Sequence, residues 1–211
     1  MSYERPTNSW ILEGIMTTVS PPPPPGGVPP DDAPLADRVN IAPMGPIVDE
    51  AMSRLVLRPF RSSTTYQNLK ATGEGVFHVT DDVLLVARAA IGGVKPGQGV
   101  PTRPAERVRG VVLTGACRYY ELKVSELDDG EDRTTITAEV VHHGRLRDFF
   151  GFNRARHAVL EAAILATRLH LTGAAPVLAE YEKLELLVQK TGGPGERQAM
   201  AELREFVAGY A

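Results

Sequence analysis

Two long segments with a period of two residues constrain the fold of this chain more than any other feature. Residues 115–127 (GACRYYELKVSEL) and 133–146 (RTTITAEVVHHGRL) both show this period, and the acidic run DDGED, residues 128–132, separates them. Successive side chains of a strand point to opposite faces of a sheet, and Asp and Gly favour tight turns. The pattern therefore predicts an antiparallel β-hairpin.

Shorter strand signals lie upstream of this hairpin, and they are rich in β-branched residues. These signals are WILEGIMTTV (10–19), VNIAPMGPIVD (39–49), SRLVLRPF (53–60) and EGVFHVT (74–80). The segment DDVLLVARAAIGGV, residues 81–94, fits either a helix or a strand. Together with the hairpin, these signals predict a mainly antiparallel β-barrel or sandwich with short helices over residues 10–146.

Two segments rich in proline and glycine interrupt the strand signals, at residues 20–38 and 95–107. Proline cannot donate a hydrogen bond to a sheet, and a run of prolines favours an extended polyproline form. We therefore interpret residues 20–38 as a solvated loop inserted in a hairpin. The alternative is a ligand for a proline-recognition domain.

The C-terminal part of the sequence is typical of helices. FNRARHAVLEAAILATRLHL, residues 152–171, has helical apolar spacing, with Asn153 as its N-cap. Pro176 suits the first turn of a second helix, and ERQAMAELREFVAGY, residues 196–210, predicts a third.

The change from strand to helix signals predicts two regions in the chain. We expect a β-domain over residues 1–148, which carries the 20–38 insertion, and a helical cap or dimerisation region over residues 149–211. A chain of 211 residues is long enough for one good core with a helical appendage.

The composition excludes several classes of function. The formal net charge is −3, so no basic excess exists to drive nucleic-acid binding. No apolar run approaches the ~20 residues of a membrane helix, and no signal-peptide pattern begins the sequence. The single cysteine, Cys117, lies in a strand-like segment and predicts a buried thiol in a reducing compartment. We therefore predict a cytoplasmic protein that binds neither nucleic acid nor membrane.

Several common catalytic motifs are absent from the sequence. There is no GxGxxG and no GxxxxGK[ST], which disfavours Rossmann and P-loop nucleotide sites. The histidines lack HExxH or Cys/His spacing, so we predict no metal site. No GxSxG elbow is present either.

The strongest chemical signal is RPFRSSTTYQNL, which begins at Arg58. Arg58 and Arg61 lie around four hydroxyl side chains, Ser62–Thr65, and Asn68 follows in a short predicted helix that Gly73 ends. A helix N-terminus offers free N–H groups and a positive dipole end, and arginine forks match phosphate oxygens. The pattern predicts an anion site. The alternative is a polar turn in which a hydroxyl of Thr64 or Thr65 caps the helix.

A polar stripe runs along the helix predicted at residues 152–171. Arg154, His157, Glu161 and Arg168 lie within this stripe, and most of the remaining circumference is apolar. One interpretation is a solvated face of a buried helix, and the other is the lining of a pocket or subunit boundary. The spacing of His157 and Glu161 also predicts an ion pair.

Three phenylalanines, Phe149, Phe150 and Phe152, precede this helix. Three aromatic side chains beside a helix cap are costly in water. We therefore expect the barrel or a partner subunit to cover the segment, with the helix at the mouth of a dimer's active site.

In these motifs the chain resembles the FMN-binding split-barrel flavoproteins of the flavin-reductase type, and among them the DUF447 proteins of archaea and some bacteria. ILEGIMTT resembles the first barrel strand, VNIAPMGPIVD the second-strand segment, and RPFRSSTTYQNL with GEGVFHVTDD the phosphate segment and next strand. ACRYYELKV and GRLRDFFGFNRARHAVLEAAILATR are similar to later motifs of the DUF447 branch. The helical tail is absent from simpler flavin reductases, so their substrates do not transfer.

The resemblance implies FMN as the cofactor and a homodimer with the flavin near the subunit interface. It implies that the Asn-x-Ala-Pro pattern brings backbone groups close to the flavin ring and that the later cluster holds the 5′-phosphate. The implied cofactor residues are Asn40, Ala42, Pro43, Met44, Gly45, Arg58, Phe60, Arg61, Ser62, Ser63, Thr64, Thr65 and Asn68.

The activity that the resemblance implies is that of an FMN-dependent oxidoreductase, which takes hydride from NAD(P)H or another reduced carrier. Asn153, Arg154 and His157 are the candidates for the substrate side, and no catalytic residue is evident because the flavin carries the chemistry. The alternatives are a flavin carrier or sensor without turnover and a non-flavin module on the same barrel. The resemblance also suggests a link to pterin-dependent one-carbon metabolism.

Overall fold

The computed structural model describes residues 6–21, 38–94 and 99–210. Most of the segment predicted as a proline-rich loop, residues 20–38, lies outside these residues. Within the part of the chain described, no helix is long and apolar enough to cross a membrane.

The chain divides into two compact units. The described residues of 1–80 and 95–148 form the first, which contains all the strands, and those of 81–94 and 149–211 form the second, which is helical. The predicted division differs from this at residues 81–94, which the sequence left open between helix and strand. These residues form helix α2 (Val83–Ala90), which packs against the C-terminal helices and therefore belongs with them.

Eight strands of the first unit form one antiparallel sheet that curls into a half-barrel. In chain order they are β1 (Trp10–Ile11), β2 (Gly14–Val19), β3 (Val39–Met44), β4 (Ile47–Val48), β5 (Arg54–Leu57), β6 (Glu74–Val79), β9 (Arg118–Asp128) and β10 (Thr135–Arg145). Their order across the sheet is β1-β4-β5-β10-β9-β6-β2-β3, so β1 and β3 are its edges. Two short strands, β7 (Thr102–Pro104) and β8 (Val111–Leu113), pair separately.

Strands β9 and β10 form the hairpin that the alternation predicts. Ile136 and Ala138 are fully buried on one face of the sheet. Glu139, the next residue along the strand, points to the other face and is exposed. Two irregularities interrupt the register of the pair, and such bulges increase the local twist of a strand. The hairpin therefore supplies both core side chains and curvature to the half-barrel.

The core of the first unit lies between the curled sheet and helix α1 (Thr64–Thr72), which packs against β2, β3 and β6. Each fully buried Leu or Phe contributes about 2 kcal/mol. The buried side chains of this core include Met16, Leu55, Leu57, Tyr66, Leu69, Phe77, Leu122 and Ile136.

A buried histidine ties the sheet to β8. His78 is fully buried, its Nδ1 lies 3.2 Å from the carbonyl oxygen of Ile15, and its Nε2 accepts a hydrogen bond from the Leu113 N–H at 3.0 Å. These roles require the neutral ring with the proton on Nδ1. Burial lowers the pKa of His78 to about 4. The ring therefore stays neutral while both nitrogens hold the backbone.

The second unit contains five helices among its described residues. They are α2 (Val83–Ala90), α3 (Arg154–Ala166), α4 (Leu169–Thr172), α5 (Ala174–Thr191) and α6 (Pro194–Ala208). Helix α3 packs against α2, α5 and α6. Tyr181 is fully buried where α5 meets α3, and its hydroxyl donates to the carbonyl of Ala162 at 2.6 Å. The helices predicted around Pro176 and over residues 196–210 are thus confirmed.

The single helix predicted over residues 152–171 is interrupted. Helix α3 ends at Ala166, because the hydroxyl of Thr167 donates to the carbonyl of Ile164 and the N–H of Arg168 donates to the carbonyl of Leu165. Such i to i−3 bonds tighten the last turn and end the helix. Arg168 therefore lies outside α3, and the predicted stripe loses one member.

Candidate functional site

The segment that begins at Arg58 leads from β5 into helix α1, as the sequence predicts. The capping residue is Ser63, whose Oγ accepts a hydrogen bond from the N–H of Tyr66 at 3.2 Å. The expectation that Thr64 or Thr65 caps the helix is therefore wrong by one or two positions. Gly73 ends α1 with φ +66°, a left-handed conformation in which its predicted role as the C-cap is confirmed.

The N-terminus of α1 is open to a ligand. The N–H groups of Thr64 and Thr65 have no hydrogen-bond partner among the described residues. The side chains of Arg61, Ser62 and Thr64 around them are exposed. First-turn N–H groups and the positive end of the dipole attract an anion, and an arginine can add a charge-assisted bond. The arrangement can hold a phosphate or carboxylate.

The β9–β10 hairpin braces this segment from one side. The N–H of Arg61 donates to the carbonyl of Asp132 at 2.9 Å, and the Tyr66 hydroxyl donates to Asp129 at 2.6 Å. Lys70 forms a 2.7 Å ion pair with the same carboxylate. The hydrogen bond from Lys70, followed by that from Tyr66, lowers the pKa of Asp129 to about 2. Asp129 therefore stays ionised and keeps the hairpin tip on α1.

Strands β2 and β3 brace the helix from the other side. Asn40 of β3 donates to the Oγ1 of Thr65 at 3.0 Å, and Asn68 of α1 donates to the Oγ1 of Thr18 at 3.0 Å. Thr65 and Asn68 are buried. The structure thus brings together the two segments predicted to hold a cofactor, the one around Asn40 and the one after Arg61.

Arg58 and Phe60 lie in a different position from the other residues of the predicted cluster. Phe60 pairs with Arg133 of the hairpin, and the Arg133 guanidinium lies 5.5 Å from the centre of the Phe60 ring. Arg58 lines a cavity of about 270 Å³ whose other lining residues are Asp128, Gly130, Glu131, Arg133 and Thr135. The open helix end is thus surrounded by Arg61 and the hydroxyls, whereas Arg58 lies beside the acidic hairpin tip.

The predicted ring segment lies on the edge strand β3 and the turn after it. Ala42, Pro43, Met44 and Gly45 are all partly exposed, and Met44 packs against the core. An edge strand leaves alternate backbone groups unused by the sheet. This segment therefore offers backbone N–H and C=O groups at the edge of the sheet.

Sequence reasoning missed two residues near this segment. A Cβ atom on Gly45 would lie 2.8 Å from either carboxylate oxygen of Glu13, so this carboxylate lies directly against the Gly45 backbone. Thr18 is the acceptor for Asn68 described above. Both positions depend on the register in which β2 pairs with β3, and this register cannot be read from the sequence.

The substrate-side candidates occupy the start of α3. Asn153 caps the helix as predicted: its Oδ1 accepts from the Arg156 N–H at 3.1 Å, and its Nδ2 donates to the carbonyl of Thr191 at 3.1 Å. Both ends of its amide are therefore used within the chain. Arg154 and His157 are exposed.

The predicted ion pair of His157 with Glu161 is absent from the described residues. The imidazole instead packs edge-on against the ring of Phe152, with 5.9 Å between ring centres. Phe152 is 94% exposed and Phe150 is 71% exposed in this chain. Among the described residues, the Arg156 guanidinium lies 4.2 Å from the centre of the Phe150 ring, and all three phenylalanines remain exposed.

The described residues contain no group of three or more His, Cys, Asp or Glu side chains that could hold a metal ion. The Cys117 side chain is buried, as predicted.

Comparison with protein families identifies two matching family models. The N-terminal domain of a protein of unknown function (DUF447) matches residues 35–147, and the second model of the same description matches residues 153–205. No curated protein matches the chain.

Several solved structures are similar to this chain. An FMN-bound DUF447 protein from Methanosarcina mazei is 24% identical, covers 93% of this chain and 94% of its own, and superimposes with a TM-score of 0.74. The flavoredoxin of Desulfovibrio vulgaris is 14% identical over 64% of this chain and 69% of its own, with a TM-score of 0.47. An NADH:FAD oxidoreductase of Streptomyces globisporus is 16% identical over 64% of this chain and 72% of its own, with a TM-score of 0.46. The predicted fold, a mainly β split barrel followed by a helical region, is confirmed.

Proposed function

The chain belongs to the DUF447 family, and on that premise we propose that it is an FMN-binding flavoprotein that acts as an oxidoreductase. The observation that carries the proposal is the 3.0 Å hydrogen bond from Asn40 to Thr65. It joins an edge strand, suited to a flat ring system, to an open helix N-terminus, suited to a phosphate. A flavin mononucleotide has these two parts at its two ends.

The N-terminus of α1 fits the phosphate. The N–H groups of Thr64 and Thr65 would donate to phosphate oxygens, with the exposed side chains of Arg61, Ser62 and Thr64 around them. Ser63 and Asn68 have internal roles, because Ser63 caps the helix and Asn68 bonds to Thr18. We therefore assign direct phosphate binding to Arg61, Ser62, Thr64 and the N–H of Thr65, and a supporting role to Ser63 and Asn68.

The edge strand β3 fits the ring. A strand rises about 3.3 Å per residue, so the distance from Asn40 to Met44 is about 13 Å, which is the scale of an extended FMN. The unused backbone groups of residues 42–45 would contact the polar edge of the ring, and the Glu13 carboxylate lies at the far end of this row. Bound FMN would supply hydride or electron transfer, and these residues would bind and orient it.

We propose a homodimer as the working form. Trp10 and Ile11 are about half exposed on the edge strand β1, and Phe149, Phe150 and Phe152 are exposed in the helical unit. Apolar side chains of this size are usually covered by a partner. The helical region would then act as the cap or dimerisation region, with Arg154 and His157 as candidates for an acidic substrate. The single cysteine, Cys117, is buried and suits the cytoplasm, where we place the protein.

The test of the proposal is a titration of the flavin-free protein with FMN, followed by flavin fluorescence and the visible spectrum. We expect saturable binding with about one FMN per chain and a shifted flavin spectrum. Absence of binding at FMN concentrations far above that of the protein would contradict the proposal.

Reduction of the loaded protein tests whether a nicotinamide nucleotide is the hydride donor. If NADH or NADPH bleaches the flavin band under anaerobic conditions, the protein is an oxidoreductase with a nicotinamide donor. If neither nucleotide bleaches it while a chemical reductant does, either another reduced carrier is the donor or the protein is a flavin carrier or sensor.

A further inference from the structure

Two adjacent threonines of β2, Thr17 and Thr18, are completely buried and face opposite sides of the sheet. The Thr17 hydroxyl donates to the carbonyl of Val111 at 2.8 Å, on the side of β8. The Thr18 hydroxyl oxygen accepts from the amide of Asn68 at 3.0 Å and lies 3.5 Å from the amide nitrogen of Asn40. The Thr18 oxygen is thus the acceptor for side-chain amides from both α1 and β3.

Two of the residues around Thr18, Asn68 and Thr65, are themselves buried, and Asn40 is half-buried. Asn68 is 3% exposed, and Thr65, which accepts the other hydrogen bond from Asn40, is also 3% exposed. A buried amide is costly without a hydrogen-bond partner, so the position of each amide is tied to that of the oxygen that accepts its hydrogen bond. The position of the first turn of α1 relative to β3 therefore depends on the Thr18 hydroxyl.

We propose that Thr18 is a positioning residue that sets the distance between the phosphate end and the ring end of the flavin site. The inference rests on the proposed FMN function. Thr18 contacts neither end itself. It fixes Asn68 directly, and through Asn40 it fixes Thr65, whose N–H is one of the two open groups at the helix end. Its hydroxyl thereby makes the site selective for the phosphorylated flavin over riboflavin.

The chain provides a matched control at the preceding residue. Thr17→Val and Thr18→Val remove the same hydroxyl from neighbouring, equally buried positions, and each replaces it with a methyl group of similar size. A purely structural effect would be shared by the two variants. An effect on phosphate selectivity would be specific to Thr18, because Thr17 contacts β8 and not α1.

The experiment measures Kd for FMN and for riboflavin in the wild type and in Thr18→Val, Thr18→Ser and Thr17→Val. We expect Thr18→Val to weaken FMN binding about tenfold, the equivalent of one hydrogen bond, and to change riboflavin binding by less than about twofold. Thr18→Ser keeps the hydroxyl and should retain the wild-type ratio of the two constants. Thr17→Val should lower Tm and leave the ratio unchanged. If Thr18→Val does not fold, Thr18→Cys replaces it in the experiment. Cysteine has a similar volume but only a weak hydrogen-bond acceptor, so the same change in the ratio of the two Kd values is expected.

Two results would overturn the inference alone: a wild-type ratio in Thr18→Val, or an equal loss of the ratio in Thr17→Val. Failure of the wild type to bind FMN would instead overturn the proposed function. Wild-type binding of FMN and riboflavin with equal Kd would show that the phosphate is not recognised, which also overturns the role of Thr18.

Discussion

Helices α1 and α3 both begin at a side-chain N-cap, and an arginine and a phenylalanine lie within three residues of each cap. Ser63 caps α1 and Asn153 caps α3. The amino-acid types alone would assign similar roles to the two segments. The difference lies in what the rest of the chain provides around each helix end.

At α3 the chain supplies its own partners. The Ala155 N–H donates to the hydroxyl of Thr191 at 3.1 Å. Arg156 donates to Glu196 at 3.0 Å, and its Nη1 lies 3.2 Å from Asp81 in an ionic contact that lacks hydrogen-bond geometry. Asp81 also accepts from the N–H of Phe150 at 2.6 Å. This helix end is therefore an anchor.

At α1 the described residues supply no such partners for the first two N–H groups of the helix. Thr64 and Thr65 keep their N–H groups open within the described chain, and Arg61 is exposed beside them. The one nearby carboxylate with a strongly lowered pKa, Asp129, is held by Lys70 and Tyr66. A helix end that its own chain does not neutralise is the better candidate for a ligand site.

The first prediction tests the anchor at α3. Arg156→Ala should lower the free energy of unfolding by about 4 kcal/mol, because it removes the guanidinium that contacts two largely buried carboxylates, Asp81 and Glu196. Arg154→Ala, at an exposed position two residues away, should change it by less than about 0.5 kcal/mol. Denaturant unfolding followed by circular dichroism measures both values.

If Arg156→Ala were as stable as Arg154→Ala, the ion pairs at α3 would contribute no net stability. The start of α3 would then not act as an anchor, and the two helix ends would not differ in this respect.

The second prediction concerns acid and the barrel unit. The pKa of His78 falls from an ordinary 6.5 to about 4 in the folded state because the ring is buried. The unfolded chain therefore binds a proton in this range that the folded chain does not, and stability falls as the pH drops from 6.5 to 4. The loss attributable to His78 is about 3 kcal/mol.

Unfolding free energies between pH 7 and pH 4 check this value. His78→Gln should be less stable at pH 7 but should show a shallower loss towards pH 4. An equally steep loss in this variant would mean that other groups dominate the acid response of the barrel.

The smallest effect is expected from the proline-rich loop. Strands β2 and β3 are paired up to Val19 and Val39, and the Ser20 N–H donates to the carbonyl of Arg38 at 2.9 Å. This pairing is complete without the residues between. Replacing residues 21–35 by a short Gly/Ser linker should therefore leave Tm and FMN affinity almost unchanged. A large fall in Tm would show that the loop packs against the body.

The sequence predicted those features that depend on neighbouring residues. The β9–β10 hairpin follows from the period-two pattern, and the caps Gly73 and Asn153 follow from local backbone chemistry. The anion-binding pattern lies at the N-terminus of α1, where the N–H groups of Thr64 and Thr65 have no partner among the described residues. These features need no knowledge of distant contacts.

The features that the sequence could not predict depend on partners that are far apart in the chain. Asp81 lies 69 residues from Phe150, and Asn40 lies 25 residues from Thr65. The position of Arg58 against the hairpin depends on how β5 pairs with β10. The break after Ala166 depends on the bonds of a single threonine, Thr167, within an otherwise helical pattern.

The most direct test of the account compares the two helix ends in one assay, the ratio of Kd for riboflavin to Kd for FMN. Arg61→Ala with Thr64→Ala alters the open end of α1, and Arg154→Ala with His157→Ala alters the start of α3 at similarly exposed positions. The first pair should weaken FMN binding by about 2 to 4 kcal/mol and lower the ratio by the corresponding factor, because it removes two side chains that contact the phosphate and leaves the backbone N–H groups in place. The second pair should keep the wild-type ratio. A wild-type ratio in the α1 variant, or loss of the ratio in the α3 variant, would contradict the assignment of the phosphate to α1.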